Sequence, residues 1–444
     1  MSNPYSLRED GIADEYGYRH QLVEEIARGG QGIVFRTSDP DIAVKQPLNS
    51  EDVVSASSKL RTQIRNVRCL PVPRGLPISF PVAVLRDEPG YVMRLLNEME
   101  PFSAFEFNGK ARLGLANLEI PEWLSKVDDR NIANALMHYS ISGSTKRRLG
   151  VLSILASILA RLHAAGLVYC DVSPNNCFMS EADHRNVWLI DADNLRFELQ
   201  SGGSAVYTPR YGAPEIVQGL DQSRPRTDAW AFAVMAFEII TLIHPFVGQQ
   251  VLQSSEDVED WDVESNTESS ANDPHDQAYA GSLPYVDDKE DDSNRSSGGL
   301  PRSIVFTTNL DGLFHETFSD GREQAWRRPS LNFWALELAR AHDESLVCPT
   351  CSMSYYFGNM ACPYCGLPRP KAVVFSTRHW RLVQQVGCNQ VDLPHRLFNE
   401  FSLEMHASSV FEVELDFDKQ MATHTQGSDP LPENLAITFV EQGR

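Results

Sequence analysis

Four short segments, in one fixed order, limit what these 444 residues can fold into more than any bulk property does. A glycine cluster, Gly29, Gly30 and Gly32 in IARGGQGIVF, separates two strand-like stretches, and Lys45 closes the strand IAVK 13 residues past Gly32. Asp171 and Asn176 then share the loop YCDVSPNN behind a long helical stretch, and Asp191 follows the short apolar strand of LIDAD. Each residue type has a chemistry. Glycines let backbone amides approach phosphates closely, and a lysine at the end of the next strand can reach those phosphates. A loop carboxylate can accept a hydroxyl proton, while an amide oxygen and a second carboxylate suit a magnesium ion. Taken singly, the same residues fit a plain hairpin, a solvent-facing lysine and turn-forming Asx side chains. Their order is what carries the argument.

The surrounding pattern divides into two lobes. Gln21 to Val44 reads as short strands broken by the glycines and by the turn Asp39 to Asp41, and Val82–Leu85 and Tyr91–Leu95 as two more joined at Asp87–Gly90. From Thr145 the period changes to helix, with Leu149, Leu152, Leu155, Ala156, Leu159 and Leu162 at three- and four-residue steps. Asp228–Ile243 is an apolar helix, and Leu331–Ala341 an amphipathic one. The expected fold class is α+β: a strand-rich small lobe, then a helical large lobe.

Three further segments fit the same order: YTPRYGAPE (Tyr207–Glu215), Asp228-Ala229-Trp230 opening its helix, and WRRPS (Trp326–Ser330). Together these motifs resemble those of the protein kinases of serine/threonine type, over about Tyr18 to His342. The resemblance implies a small lobe over about 18–96, a large lobe over about 97–342, and ATP with Mg²⁺ (or Mn²⁺) as cofactors. By position, Gly29, Gly30 and Gly32 would cover the phosphates, with Val34 above the adenine and Ala43 beside it. Met93 would stand at the back of the pocket, and Arg94, Leu95 and Leu96 would form the hinge that bonds the base. Lys45 would bind the α/β-phosphates, Asp171 act as catalytic base, and Asn176 and Asp191 hold magnesium. Arg328 would pair with Glu215. Ser201, Ser204, Thr208 and Tyr207 are candidate phosphorylation positions on the activation segment.

Departures from that pattern are specific. The first glycine of the loop is Ala27, and Tyr169-Cys170 replace the usual His-Arg before the base. Ser173 stands where a lysine usually approaches the transferred phosphate, and Ala192-Asp193 replace Phe-Gly after the metal-binding aspartate. Glu51 is only six residues past Lys45, and Ser55–Arg68 holds no glutamate, so the acid that normally pairs with the lysine is unassigned. The alternative to an active kinase is a nucleotide-binding pseudokinase scaffold.

Eight cysteines are present, and four form two tight pairs, Cys348-Pro-Thr-Cys351 and Cys362-Pro-Tyr-Cys365, ten residues apart. Two such knuckles supply four thiolates for a tetrahedral, structural Zn²⁺. A ribbon over 346–368 is expected, with a small β-rich region over 369–444 that frays beyond about Phe417. The ten intervening residues carry no basic cluster, which favours protein contact or simple scaffolding over nucleic acid. Net charge is −21, and 14 acids between Ser254 and Ser297 face only Lys289 and Arg295, so a solvated, flexible acidic insertion over about 250–300 is expected, with a docking segment for a basic partner as the alternative. Residues 1–17 read as a flexible, polar start without a secretory pattern, and no apolar run is long enough for a membrane span. A cytoplasmic address without membrane contact follows. YCDVSPNN, LIDADNLRF and the CPxC pairs are similar to bacterial kinases of tellurite-resistance and stress clusters. That likeness implies a von Willebrand A-type protein and a PP2C-type phosphatase as partners, beside a protein substrate.

Overall fold

The computed structural model describes residues 11–29, 32–48, 53–115, 118–181, 186–199, 206–254, 273–387, 389–399, 410–425 and 431–443. The small lobe is an antiparallel sheet of β1 (Leu22–Gly29), β2 (Gly32–Thr37), β3 (Ile42–Gln46), β4 (Pro81–Val84) and β5 (Tyr91–Arg94), in the order β1-β2-β3-β5-β4. Strand alternation sorts its residues. Lys45 lies opposite Val34 on one side and Tyr91 on the other, and Ala43 opposite Met93, so all five share a face. Val44 and Val92 point the other way, into a separate cluster with Ala83 and Leu85. Helix α1 (Val53–Arg68) covers the Lys45 face, with Leu60 and Ile64, one turn apart, packed against Ala43, Tyr91 and Met93.

The large lobe is built on α2 (Arg130–Ile141), α3 (Ser144–Ala164), α4 (Pro225–Thr241), α5 (Thr308–His315) and α6 (Leu331–Asp343). Burial of α3 and α4 on nearly all sides explains their continuous apolar sequence. Aromatic rings lock the centre: Trp230 stacks on Phe246 at 5.4 Å, and Phe237 meets Tyr285, Phe314 and Phe318 edge-on. The expected Glu215–Arg328 pair forms bidentately at 2.7 and 2.8 Å, with the Arg328 side chain fully buried.

Three expectations need correction. The acidic stretch is folded over its second half: Ala278, Leu283, Tyr285 and Val286 are buried in the large-lobe core, and Asn294 donates to the carbonyls of Phe246 and Pro284. Most of its acids occupy exposed positions between those anchors, whereas Asp288 is buried and accepts the Ser319 hydroxyl at 2.7 Å; residues 255–272 lie outside the described ones. The cysteine-bearing hairpin, β6 (Ser345–Val347) with β7 (Ser354–Tyr356), is not a separate module. Leu346, Met353 and Tyr355 belong to the large-lobe core, and Ser140 Oγ donates to the Cys351 carbonyl at 2.7 Å.

The third correction concerns the tail. It forms two three-stranded sheets, from β8 (Ala372–Ser376), β9 (Arg381–Gln385), β10 (Gln390–Leu393), β11 (Phe411–Asp416), β12 (Met421–His424) and β13 (Ala436–Val440). Order continues to Val440, because β13 pairs with β8 and its alternate residues Ile437 and Phe439 pack on the tail's core. Asp343 at the end of α6 anchors that core: Arg396 donates to both its oxygens at 2.7 and 2.8 Å, and Trp380 Nε1 donates at 2.8 Å.

Candidate active site

The cleft between the lobes gathers charge around Lys45. This lysine is buried, and its Nζ lies 2.7 Å from Asp191 Oδ2 and 3.6 Å from Asp193 Oδ2, contacts that are ion pairs rather than aligned hydrogen bonds. Asp191 sits in the left-handed region (φ 54°), which throws its carboxylate from the end of its strand toward the small lobe. Asp193 follows in the same short turn, Ala192–Asn194, and is 8% exposed. Tyr91, on the Lys45 face of β5, donates its hydroxyl to Asp193 Oδ2 at 3.3 Å, and Gln63 of α1 donates to the Asp193 carbonyl at 2.9 Å. Burial pushes the Asp193 carboxyl up to about 6, against the pull of the Lys45 ammonium. Helix α1 itself contains no acidic residue.

The loop Tyr169–Asn176 is held from below by one buried acid. Asp228, in the first turn of α4, accepts the backbone N–H groups of Tyr169 (2.8 Å) and Cys170 (3.0 Å), and His163 Nε2 lies 3.0 Å from it. Cys170 adopts φ 78°, a conformation that costs a non-glycine residue about 1–3 kcal/mol and persists only when its surroundings dictate it. Asp171 comes next, buried, its Oδ1 accepting the Thr208 hydroxyl at 2.8 Å. Asn176 donates its Nδ2 to the Asp171 carbonyl at 2.9 Å, which leaves its amide oxygen to accept. Its own carbonyl accepts the N–H of Ile190 at 3.0 Å, placing Asn176 beside the residue that precedes Asp191. Asn176 Oδ1 and the Asp191 carboxylate are thus two hard oxygen donors on adjacent backbone, the donor type magnesium takes.

The remaining residues of interest are distributed unequally. Val34, Ala43, Met93 and Leu95 lie together in one apolar cluster on the Lys45 face, a surface fit for a purine. Gly32 runs so close to the next strand that a Cβ there would stand 2.4 Å from the Gln46 carbonyl, whereas a Cβ on Gly29 would meet nothing. Gly30 lies outside the described residues, as do Ser201 and Ser204. Arg94, expected beside the base, points away by strand alternation, and its guanidinium stacks on Trp188 at 4.9 Å. Its carbonyl accepts Ser79, and the Leu95 N–H donates to the Asp41 carbonyl, so that amide is already used. Thr208, expected as a phosphorylation position, is engaged with Asp171 instead. Two neighbours were not anticipated: Asp193 as an ion partner of Lys45, and Glu238, which binds Arg210 and accepts the Tyr211 hydroxyl at 3.0 Å. A cavity of only about 10 Å³ is lined by Cys170, Val172, Tyr207 and Thr208 among others.

At the other end of the molecule, the four cysteine sulfurs lie within 4.8 Å of one another, with Cys348–Cys365 at 3.5 Å and Cys351–Cys362 at 3.6 Å. Zn–S bonds of about 2.3 Å in a tetrahedron require sulfurs about 3.8 Å apart, so the donor set fits zinc. The residue after each second cysteine is left-handed, Ser352 at φ 57° and Gly366 at φ 77°, which closes both knuckles by the same turn.

Residues 127–285 match the family described as the protein kinase domain. The chain is 32% identical over 92 residues to a probable serine/threonine-protein kinase of Dictyostelium discoideum, covering 20% of this chain and 17% of the relative. It is 26% identical over 249 residues to the inhibitor of nuclear factor kappa-B kinase subunit beta of Mus musculus (51% and 28%). It is 23% identical over 232 residues to a probable serine/threonine-protein kinase of Bifidobacterium longum (51% and 27%). The chain therefore spans well under two thirds of the length of these relatives. The matched segment and the two-lobed architecture together make the fold that of a protein kinase domain.

Proposed function

We propose that this chain transfers the γ-phosphate of ATP to serine and threonine hydroxyls of protein substrates. One observation carries the reading: the Lys45–Asp191 ion pair joins the small-lobe sheet to the loop of the large lobe across the same cleft that holds Asp171. Lys45 binds the α- and β-phosphates, and Val34, Ala43, Met93 and Leu95 enclose the base. Asn176 and Asp191 hold magnesium, which when bound neutralises charge on the phosphates. Asp171 accepts the proton of the acceptor hydroxyl, and the Thr208 bond to Oδ1 fixes which way that carboxylate faces. Arg210 and Tyr211, tied to Glu238, hold the platform on which the acceptor peptide lies.

A pseudokinase scaffold is favoured by two observations, the absence of an acid on α1 and the buried Ser173 in place of a lysine. The retained acids at 171 and 191 weigh more, because they perform the proton transfer and the metal binding. Cys348, Cys351, Cys362 and Cys365 hold a structural zinc that braces the hairpin on the large lobe. We place the kinase in a bacterial stress circuit of the tellurite-resistance type. A PP2C-type phosphatase would oppose it and a von Willebrand A-type protein would be regulator or substrate, in the cytoplasm and without nucleic acid. The similarity of YCDVSPNN, LIDADNLRF and the CPxC pairs to such kinases supports that assignment.

The test is incubation with γ-labelled ATP, Mg²⁺ and a generic basic protein, followed by phosphoamino-acid analysis. Label on serine and threonine is the expected result. ATP-dependent thermal stabilisation with no label under any metal would replace the kinase by the scaffold.

A further inference from the structure

In this kinase reading, Lys45 must be held at fixed height above the loop, a task usually given to a glutamate on the small-lobe helix. Helix α1 has no acidic residue anywhere between Val53 and Arg68, so it cannot perform that task. A second carboxylate nevertheless faces the ammonium, from the other lobe: Asp193 Oδ2 at 3.6 Å. We propose that Asp193 is the positioning residue for Lys45, replacing the missing helix glutamate with an acid on the turn that also carries Asp191.

Three features support this assignment. Asp193 is 8% exposed, and among the described residues its Oδ1 has no hydrogen-bond partner, so the carboxylate is withdrawn from water with Lys45 as its nearby cation. A buried acid of that kind is maintained only where a charge or a hydrogen bond offsets its desolvation. Tyr91 lies directly opposite Lys45 in the sheet and donates to the same Oδ2, so strand register aims the acid at the lysine. Gln63, on the face of α1 toward the loop, donates to the Asp193 carbonyl, which ties the helix to the turn.

The proposal has a regulatory consequence. Where the partner acid rides on the helix, outward movement of the helix breaks the pair and switches the enzyme off. Among the described residues, the two acids facing Lys45 ride on residues 191–193, so the pair survives displacement of α1. The absence of an arginine before Asp171, where Cys170 stands, agrees with an enzyme set by its own loop.

The experiment compares Lys45→Ala, Asp193→Asn and the double variant for affinity toward a fluorescent ATP analogue and for kcat and KM of phosphate transfer. Displacing Lys45 by about an ångström is expected to lower kcat/KM about 100-fold in Asp193→Asn. The double variant should be no worse than Lys45→Ala, because Asp193 acts through the lysine. Asp193→Glu, which keeps a carboxylate on the turn, should retain about tenfold more kcat/KM than Asp193→Asn. Wild-type kinetics in Asp193→Asn would overturn the proposal. So would additive losses in the double variant, or losses tracking a fall in melting temperature with no difference between Asp193→Glu and Asp193→Asn. If the wild type transfers no phosphate, the kinase reading fails, but the analogue affinities still decide whether Asp193 acts through Lys45.

Discussion

Replacing Asp228 should loosen the catalytic loop by an amount that the structure sets. Its two oxygens accept the N–H groups of Tyr169 and Cys170, both buried, and the aspartate is 1% exposed. Hydrogen bonds to a charged acceptor contribute about 1.5–3 kcal/mol each. Asp228→Ala should therefore cost about 3–6 kcal/mol, and Asp228→Asn, which keeps one acceptor, about half of that. The local consequence exceeds the global one. Cys170 is held at φ 78°, and without the bond to its N–H the peptide before Asp171 can relax to a negative φ and turn the base away from the acceptor. The assay combines urea denaturation with amide hydrogen exchange read by mass spectrometry. Peptides covering 167–176 should lose protection in Asp228→Asn before those of α3 do, and phosphate transfer should fall more than stability. A variant with unchanged loop protection and unchanged transfer would refute the reasoning, since the two amides would then need no partner.

Other outcomes follow from the same geometry. Glu215→Ala strands the fully buried guanidinium of Arg328 and should cost about 3–5 kcal/mol in urea denaturation; Arg328→Lys should not be benign, because a lysine cannot donate bidentately. Elemental analysis should find one zinc per chain, and chelation or Cys351→Ser should lower the melting temperature of the large lobe along with that of the tail, since Cys348, Cys351 and Cys362 share its core. For Asp343, burial alone would raise the carboxyl, but Arg396 and His342 outweigh it and hold it well below the usual value of 3.8. A depressed folded value stabilises above the unfolded one, so that contribution is present at pH 5–7 and is lost as pH falls below about 4. Asp343→Asn should flatten the acid limb of a stability–pH profile between pH 5 and 3, and an unchanged limb would exclude this carboxylate as its source.

Residues whose role is local were legible in the sequence, and those whose role depends on a distant partner were not. Helices α3 and α4 announce themselves by apolar content, and the residues facing the cleft from β3 and β5 follow from a period of two once the strands are placed. That same period excludes Arg94 from the purine surface, although its neighbour Met93 belongs there. Asp193 is visible as an odd residue after Asp191, but its contact with Lys45 spans the two lobes and no local pattern encodes it. Charge density concealed the packing of 273–300, because Leu283, Tyr285 and Val286 are few among many acids yet fully committed to the core. Leu346, Met353 and Tyr355 likewise look like the inside of a small ribbon, and only their burial against α3 shows that the hairpin and the large lobe are one body. The last strand, β13, is short and follows a polar stretch, so nothing local separated it from a loose end.

The most direct measurement is nucleotide binding and phosphate transfer on the same preparations of wild type, Asp171→Ala and Asp191→Ala. The account expects Asp171→Ala to bind MgATP as the wild type does while losing transfer, because it removes only the proton acceptor. It expects Asp191→Ala to lose transfer together with metal-dependent nucleotide binding. Transfer that persists in Asp171→Ala, or magnesium-dependent binding that is indifferent to Asp191→Ala, would contradict it.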